Sequence, residues 1–331
     1  MIRVTAPARL HFGLLSLPAD GEDFWPDRHG EPVLPVRRFG GAGLMIENPA
    51  LRLRVEPAAD WSAAGPLADR ALDFAHRFAA TVTGGILAPQ RLVIESAPPE
   101  HCGLGSGTQL GLAVGRALAV AASQPDLRAV ELAPRVGRGL RSALGVHGFA
   151  HGGFLVESGK RAEQAVSTLA VRLPFPETWR VVVAVPPGEP GRHGDREREA
   201  FRQLRGRPVP ACTTAALCRL LLLGLLPALI ERDLDRFGEA LYDFNARVGE
   251  AFAPVQGGTY ASRGVAEVVA FVRRQGVRGV GQSSWGPAVF AILDDEERAG
   301  DLARRLRREV ALGEAPVFVT RGCNHGAEVG E

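Results

Sequence analysis

The segment Gly103-Leu104-Gly105-Ser106-Gly107-Thr108-Gln109 is built to hold an anion. Glycines at alternate positions let a backbone approach a ligand with no Cβ in the way. Ser106 and Thr108 are expected to cap the helix that follows and to offer hydroxyl hydrogen bonds. The free N–H groups and the positive helix end then face the loop. The dipole adds only about 0.3–1 kcal/mol to a charge, so a diphosphate also needs several direct hydrogen bonds. The spacing is not G-x-G-x-x-G, and the preceding strand lies far from the N-terminus, which argues against a dinucleotide site. A plain tight turn is the other reading of these glycines.

Other residues with chemistry lie on both sides of that loop. Arg9 suits a bidentate grip on a carboxylate or phosphate. His11, two residues on, is either a proton-transfer or positioning group or a buried structural histidine. Arg141 and Ser142 follow a helix, where an arginine can reach a ligand or interact with the dipole. His147 and His151 stand four apart in a glycine-rich stretch read as a turn. Without a helix or a third ligand they make a poor metal pair, and one of them is expected to line the pocket. Gly281, Ser283 and Ser284 suggest a second phosphate-facing loop, or plain turn residues. Trp285 offers a flat face for stacking or a bulky core residue. Asn245, Arg247 and Glu250 read as a solvated helix face, with the cleft as the other direction they could face. Cys323 and His325 alone do not make a metal site, so the metal ligands stay unknown.

Composition limits the functions available. The chain has 331 residues, is 46% hydrophobic and 23% charged, and carries a formal net charge of +2. That balance suits a globular, soluble chain and calls for neither nucleic acid nor a membrane as partner, while leaving room for a local basic pocket for an anionic small molecule. Lys160 is the single lysine among 39 basic residues. A Schiff base, or a lysine on nucleotide phosphates, would therefore fall on Lys160 alone. Four cysteines without a Cys-x-x-Cys pair suit reduced thiols and a cytoplasmic location. The N-terminus alternates polar and apolar residues and shows no signal-peptide core. Leu220 to Ile230 is expected to be a buried core helix.

Strands are expected at 2–6, 43–47, 51–56 and 91–95 from period-two alternation. Helices are expected at 66–82, 110–122 and 129–143, and a turn followed by a strand at 145–159. Residues 18–38, with four prolines, read as an exposed loop or insertion. LPFPET at 173–178 breaks the periodicity and suggests two domains, 1–174 and 175–331. The second half reads as a strand at 179–185, a polar loop at 186–197, helices at 212–231, 233–248 and 263–275, strands at 278–282 and 288–293, a helix at 295–309 and a strand at 316–320. Helices and strands come in mixed runs, which points to an α+β fold.

Three motifs in order carry a resemblance. Ala6-Pro7-Ala8-Arg9-Leu10-His11-Phe12-Gly13, Pro98 through Gly107, and Gly281-Gln282-Ser283-Ser284-Trp285-Gly286-Pro287-Ala288 resemble the motifs of the GHMP kinase superfamily. Within it, Arg9 to Leu14, Gly103 to Gln109, Arg141 to Gly145, Gly152-Gly153-Phe154 and Gly281 to Pro287 look like the β-ribofuranosylaminobenzene 5'-phosphate synthase family. The resemblance implies a two-domain GHMP-kinase-like fold, an N-terminal ribosomal-S5-like domain and a C-terminal ferredoxin-like α/β sandwich. It implies a homodimer and a decarboxylating pentosyltransferase of tetrahydromethanopterin biosynthesis and one-carbon metabolism. Phosphoribosyl pyrophosphate and 4-aminobenzoate, or its hydroxy analogue, would be the substrates, with magnesium and without pyridoxal phosphate (PLP). Arg9, His11, Arg141 and His147 are then expected to be catalytic, residues 103–109 with Gly281, Ser283 and Ser284 phosphate-binding, and Ser142, His151 and Trp285 part of the substrate pocket. The alternative is an ATP-dependent small-molecule kinase of the same superfamily. No aspartate occurs between Asp126 and Asp195, where many such kinases carry their base.

Overall fold

The computed structural model describes residues 1–16, 24–26, 28–29, 32–82, 87–188, 191, 194–205 and 209–330. Much of the expected loop at 18–38, and residues 189–190 and 192–193 of the expected polar loop, lie outside the described residues. The first half runs β1 (Ile2–Leu14), a hairpin of β2 (Phe24–Pro26) and β3 (Pro32–Pro35), β4 (Gly41–Pro57), β5 (Ser62–Ala64), α1 (Ala68–Ala79), β6 (Gln90–Ser96), α2 (Ser106–Ala121), α3 (Ala129–Arg135), α4 (Leu144–His151), β7 (Phe154–Glu157) and β8 (Leu169–Leu173). The second half runs β9 (Arg180–Ala184), α5 (Gly194–Arg205), α6 (Ala211–Leu220), a π turn leading into α7 (Leu226–Glu231), α8 (Leu234–Gln256), α9 (Arg263–Arg274), β10 (Gly279–Gln282), β11 (Val289–Leu293), α10 (Glu296–Glu309), β12 (Val317–Arg321) and β13 (Glu328–Gly330). One sheet has the order β13-β1-β4-β6-β5, with β7 and β8 continuing from the first part of β4; a second has the order β10-β11-β9-β12. Strands and helices thus mix as the α+β reading requires.

The first strand does more than expected. It runs through the whole Arg9 motif, with a register shift against β4 between Ala6 and Ala8, where Pro7 has no N–H to give a ladder. Such an irregularity re-aims the side chains beyond it. Val4 and Ala6 pack with α1 and α2, whereas Ala8, Leu10 and Phe12 pack with the second half. The odd residues Arg9 and His11 therefore turn to the side where α2 begins. β4 likewise is one long strand rather than the two expected.

Three further differences have local causes. The expected helix at 129–143 stops at Arg135, where Pro134 is followed by Gly137 and Gly139 in left-handed conformations. Residues 144–151 form α4 instead of a turn; Gly145 lies against Thr108, and Gly148 against Met45. Those close tertiary contacts override weak helix propensity. The end of the expected polar loop is α5, which buries Ala200 and Leu204. Leu220 to Ile230 is not wholly a core segment. Leu221, Leu225, Ala228 and Leu229 are buried, but Leu222, Leu223 and Ile230 are exposed. By length and composition Ala211–Glu231 could cross a membrane, yet its inward stripe joins the core that α8 also lines. The coil from Pro174 to Trp179 covers the expected boundary, while β13 returns to the first sheet.

Candidate active site

A cleft of about 620 Å³ opens between the start of α2, the end of β1, α5 and α8. Its size is that of a small-molecule site. At its floor α2 begins with Gly105 as N-cap, at φ 77°, and no side chain caps the helix. Ser106 and Thr108 sit within the first turn and do not supply the expected cap. The Thr108 and Gln109 amides both return to the Gly105 carbonyl. Among the described residues the Ser106 and Gly107 N–H groups have no partner, so they are available to an anion.

Arginines converge on this helix end. Arg9 lies against Gly105; a Cβ there would come within 3.1 Å of the Arg9 Cβ. The Arg9 Nε is buried with no hydrogen-bond partner among the described residues. Burial lowers its pKa to about 10, against the pull of Glu157 and Glu197. Arg138 donates from Nε to the Gly107 carbonyl at 3.1 Å. Its pKa is also lowered to about 10, chiefly by burial and then by neighbouring Arg70. A Cβ on Gly107 would collide with the guanidinium tips of both Arg138 and Arg70. Arg70 pairs with Glu100 at the rim. Desolvated, mutually repelling cations are relieved when an anion enters between them.

The opposite wall is aromatic. Phe201 and Trp285 pack at a 34° tilt with centroids 4.7 Å apart, and Phe252 meets Trp285 edge-on at 5.0 Å. The Arg141 guanidinium lies 4.6 Å from the Phe201 centroid and pairs with Glu197. Burial lowers the pKa of Arg141 and Glu197 opposes it.

His11 joins the two walls. Its N–H donates to Ser283 Oγ at 3.0 Å, and Ser283 Oγ donates to the Gly103 carbonyl at 2.7 Å. Its ring Nε2 is 3.2 Å from Ser142 Oγ, which donates to the buried Glu157. Burial first, and then Arg9, hold the imidazole well below its ordinary pKa. Asn245 fastens the site from α8: its Nδ2 donates to the Phe12 and Gln282 carbonyls at 2.8 and 2.9 Å, and its Oδ1 accepts the Gln282 N–H.

Residues 67–153 match the family model of the GHMP kinase N-terminal domain, and residues 225–312 that of the GHMP kinase C-terminal domain. A β-ribofuranosylphenol 5'-phosphate synthase of Archaeoglobus fulgidus is 31% identical, the match covering 99% of this chain and 99% of that one. The chain belongs to this synthase family. A synthase of the same name from Methanothermobacter thermautotrophicus is 28% identical over 98% of this chain and 97% of its own. Among solved structures, a homoserine kinase from Cytophaga hutchinsonii superposes with a TM-score of 0.68 at 17% identity, covering 99% of this chain and 96% of that one. A mevalonate diphosphate decarboxylase from Staphylococcus aureus gives 0.64 at 14%, covering 100% and 99%. Those two share the GHMP fold with the synthase family.

Of the residues expected at the site, Arg9, His11, Gly103, Gly105, Ser106, Gly107, Thr108, Arg141, Ser142, Ser284 and Trp285 line the cleft. Leu104, Gln109, Gly281 and Ser283 stand behind it. Leu104 accepts the Arg9 N–H, Gln109 donates to the Gly145 carbonyl, Gly281 packs on Asn245, and Ser283 bridges His11 and Gly103. His147 and His151 do not reach it: His147 is buried with Nε2 2.7 Å from the Ser167 carbonyl, and His151 is exposed at the far end of α4. Asn245, read first as solvated and otherwise as facing the cleft, is buried and lines it. Arg70, Arg138, Glu157, Glu197 and Phe201 carry no motif in the sequence; only the fold brings them together.

Proposed function

We propose that the chain joins phosphoribosyl pyrophosphate to 4-hydroxybenzoate or 4-aminobenzoate, with loss of carbon dioxide and pyrophosphate, in tetrahydromethanopterin synthesis. The relatives' printed names give a phenol product, which favours the hydroxy acid. One observation carries the reading: a single cleft with uncapped amides and buried arginines at one end and an aromatic wall at the other.

The chemistry follows from that arrangement. Pyrophosphate leaves the anomeric carbon with the bonding electron pair. The Ser106 and Gly107 amides, Arg9, Arg138 and Arg70 receive its growing charge from fixed positions. The ring lies against Phe201 and Trp285, so that the carbon bearing the carboxylate attacks from a set orientation. Carbon dioxide then departs and aromaticity returns. Arg141, freed from Glu197, is the cation suited to the acid's carboxylate.

Magnesium fits this site as an ion brought by the diphosphate. Among the described residues no cluster of three His, Cys, Asp or Glu exists to cage it, whereas magnesium is commonly held by one carboxylate and substrate phosphates. Glu100, at the cleft rim beside the loop and paired there with Arg70, would be the carboxylate to hold it. The ion would supply charge neutralisation on the leaving group. A cytoplasmic homodimer completes the reading; the exposed Leu222, Leu223 and Ile230 support the dimer.

The test is incubation of purified protein with phosphoribosyl pyrophosphate, magnesium and either acid. Carbon dioxide release with formation of an aryl ribosyl phosphate is expected. Neither product appearing, or ATP consumption driven by a sugar or homoserine acceptor, rejects the proposal.

A further inference from the structure

Ser142 has a single proton, and its neighbours decide where that proton goes. Its Oγ lies 2.5 Å from Glu157 Oε1, 3.2 Å from the Leu144 nitrogen and 3.2 Å from His11 Nε2. The Leu144 amide can only donate. Glu157 is fully buried, accepts the Ala143 N–H on its other oxygen at 2.7 Å, and interacts with the positive charge of Arg9. As a carboxylate it can only accept, so the hydroxyl proton points to Glu157. Both Ser142 lone pairs must then receive, one from Leu144 and one from His11. The His11 ring therefore carries its proton on Nε2. Its Nδ1 keeps a lone pair, for which the described residues offer no partner, and His11 is one of the residues that line the cleft.

We propose that Glu157, acting through Ser142, holds His11 as the Nε2–H tautomer so that Nδ1 borrows the hydroxyl proton of the aromatic acid during carbon–carbon bond formation. Glu157 and Ser142 are positioning residues; His11 touches the substrate. As the ring carbon bonds to the anomeric carbon, the O–H pair moves into the ring and pyrophosphate leaves with its own pair. The adduct is a dienone that still bears the carboxylate. Loss of carbon dioxide returns a pair to the ring, the oxygen regains its negative charge, and Nδ1 gives the proton back. Nothing is oxidised or reduced, and His11 ends as it began. An amino acceptor needs no such loan, because its nitrogen can donate electrons while keeping its protons. The source of the borrowed proton rests on the function proposed above; the tautomer rests on the hydrogen-bond geometry with Glu157 as a carboxylate.

Nitrogen NMR of histidine-labelled full-length protein at neutral pH tests the tautomer, with the resonance assigned by its loss in His11→Gln. Wild type is expected to show a bare Nδ1 and a protonated Nε2. In Glu157→Gln the new amide donates to Ser142 Oγ, frees the hydroxyl proton for Nε2 and moves the ring proton to Nδ1. A wild-type Nδ1–H ring, or no change in the variant, overturns the assignment. Kinetics test the proton loan: Glu157→Gln is expected to lower kcat with 4-hydroxybenzoate by about a hundredfold, leaving KM for phosphoribosyl pyrophosphate unchanged. With 4-aminobenzoate the loss should stay within about threefold. Equal losses with both acids would reduce Glu157 to a structural part and sink the idea. Should Glu157→Gln not fold, Ser142→Ala carries the same kinetic comparison and is expected to lose the Nε2–H preference. No turnover by wild type with either acid removes the functional reading and the proton loan together, while the spectrum still decides the tautomer.

Discussion

At the scale of single residues, His11 links the site to the stability of the whole chain. Its imidazole is held well below its ordinary value of about 6.5 by burial and then by Arg9. Below its ordinary value the unfolded chain takes a proton there from solvent that the ligand-free folded chain does not. The His11 contribution is neutral above pH 6.5 and becomes unfavourable as pH falls below it, by up to about 1.4 kcal/mol per pH unit. Urea denaturation between pH 8 and 5 is expected to show a shallower loss in His11→Gln than in wild type; parallel curves would contradict it. Gly105 makes a second point. At φ 77° and against the Arg9 Cβ, Gly105→Val costs about 1–2 kcal/mol of left-handed strain and displaces Arg9. Phosphoribosyl pyrophosphate binding, read by calorimetry, should be lost while circular dichroism stays native. The glycine loop and Arg9 were legible in the sequence because their residue types announce their chemistry. Glu157 was not, since a carboxylate in a short apolar strand reveals its role only when Ser142 is seen beside it.

At the scale of elements, the site depends on what each helix and strand brings to its end. α1 delivers Arg70 and the turn after α3 delivers Arg138, both to the first turn of α2. Arg138→Gln should raise KM for phosphoribosyl pyrophosphate about tenfold, equivalent to about 1.4 kcal/mol, with little change in melting temperature. An unchanged KM would place the diphosphate elsewhere. α8 has the opposite profile. Asn245 satisfies three backbone groups of β1 and β10, so Asn245→Ala is expected to cost about 3 kcal/mol of stability, measured by chemical denaturation. Alternating patterns showed most strands beforehand. They could not show α4, whose glycines are kept helical by Thr108 and Met45, or the exposure of Leu222 and Leu223, which depends on what α8 leaves uncovered.

At the scale of the whole molecule, Leu222 and Leu223 present apolar surface that a second copy would bury. On the homodimer proposed above, replacing both with glutamate should lower the sedimentation coefficient to that of a monomer without unfolding the chain; an unchanged coefficient would exclude that face. The α+β class and the meeting of Arg9, the glycine loop and Trp285 in one cleft could be read from motif order, but the division at residues 173–178 says little about how the halves cohere. Ala8, Leu10, Phe12 and Phe154 from the first sheet share one continuous core with Val181, Val183, Phe290 and Phe237 from the second half. Neither half closes that interior alone. Heating should therefore give one calorimetric endotherm rather than two, and a saturating diphosphate, gripped by Arg9 on one side of the seam, should shift the entire endotherm upward by mass action. Expressed separately, the halves would each expose a face of the shared interior, and coexpression should rescue their solubility.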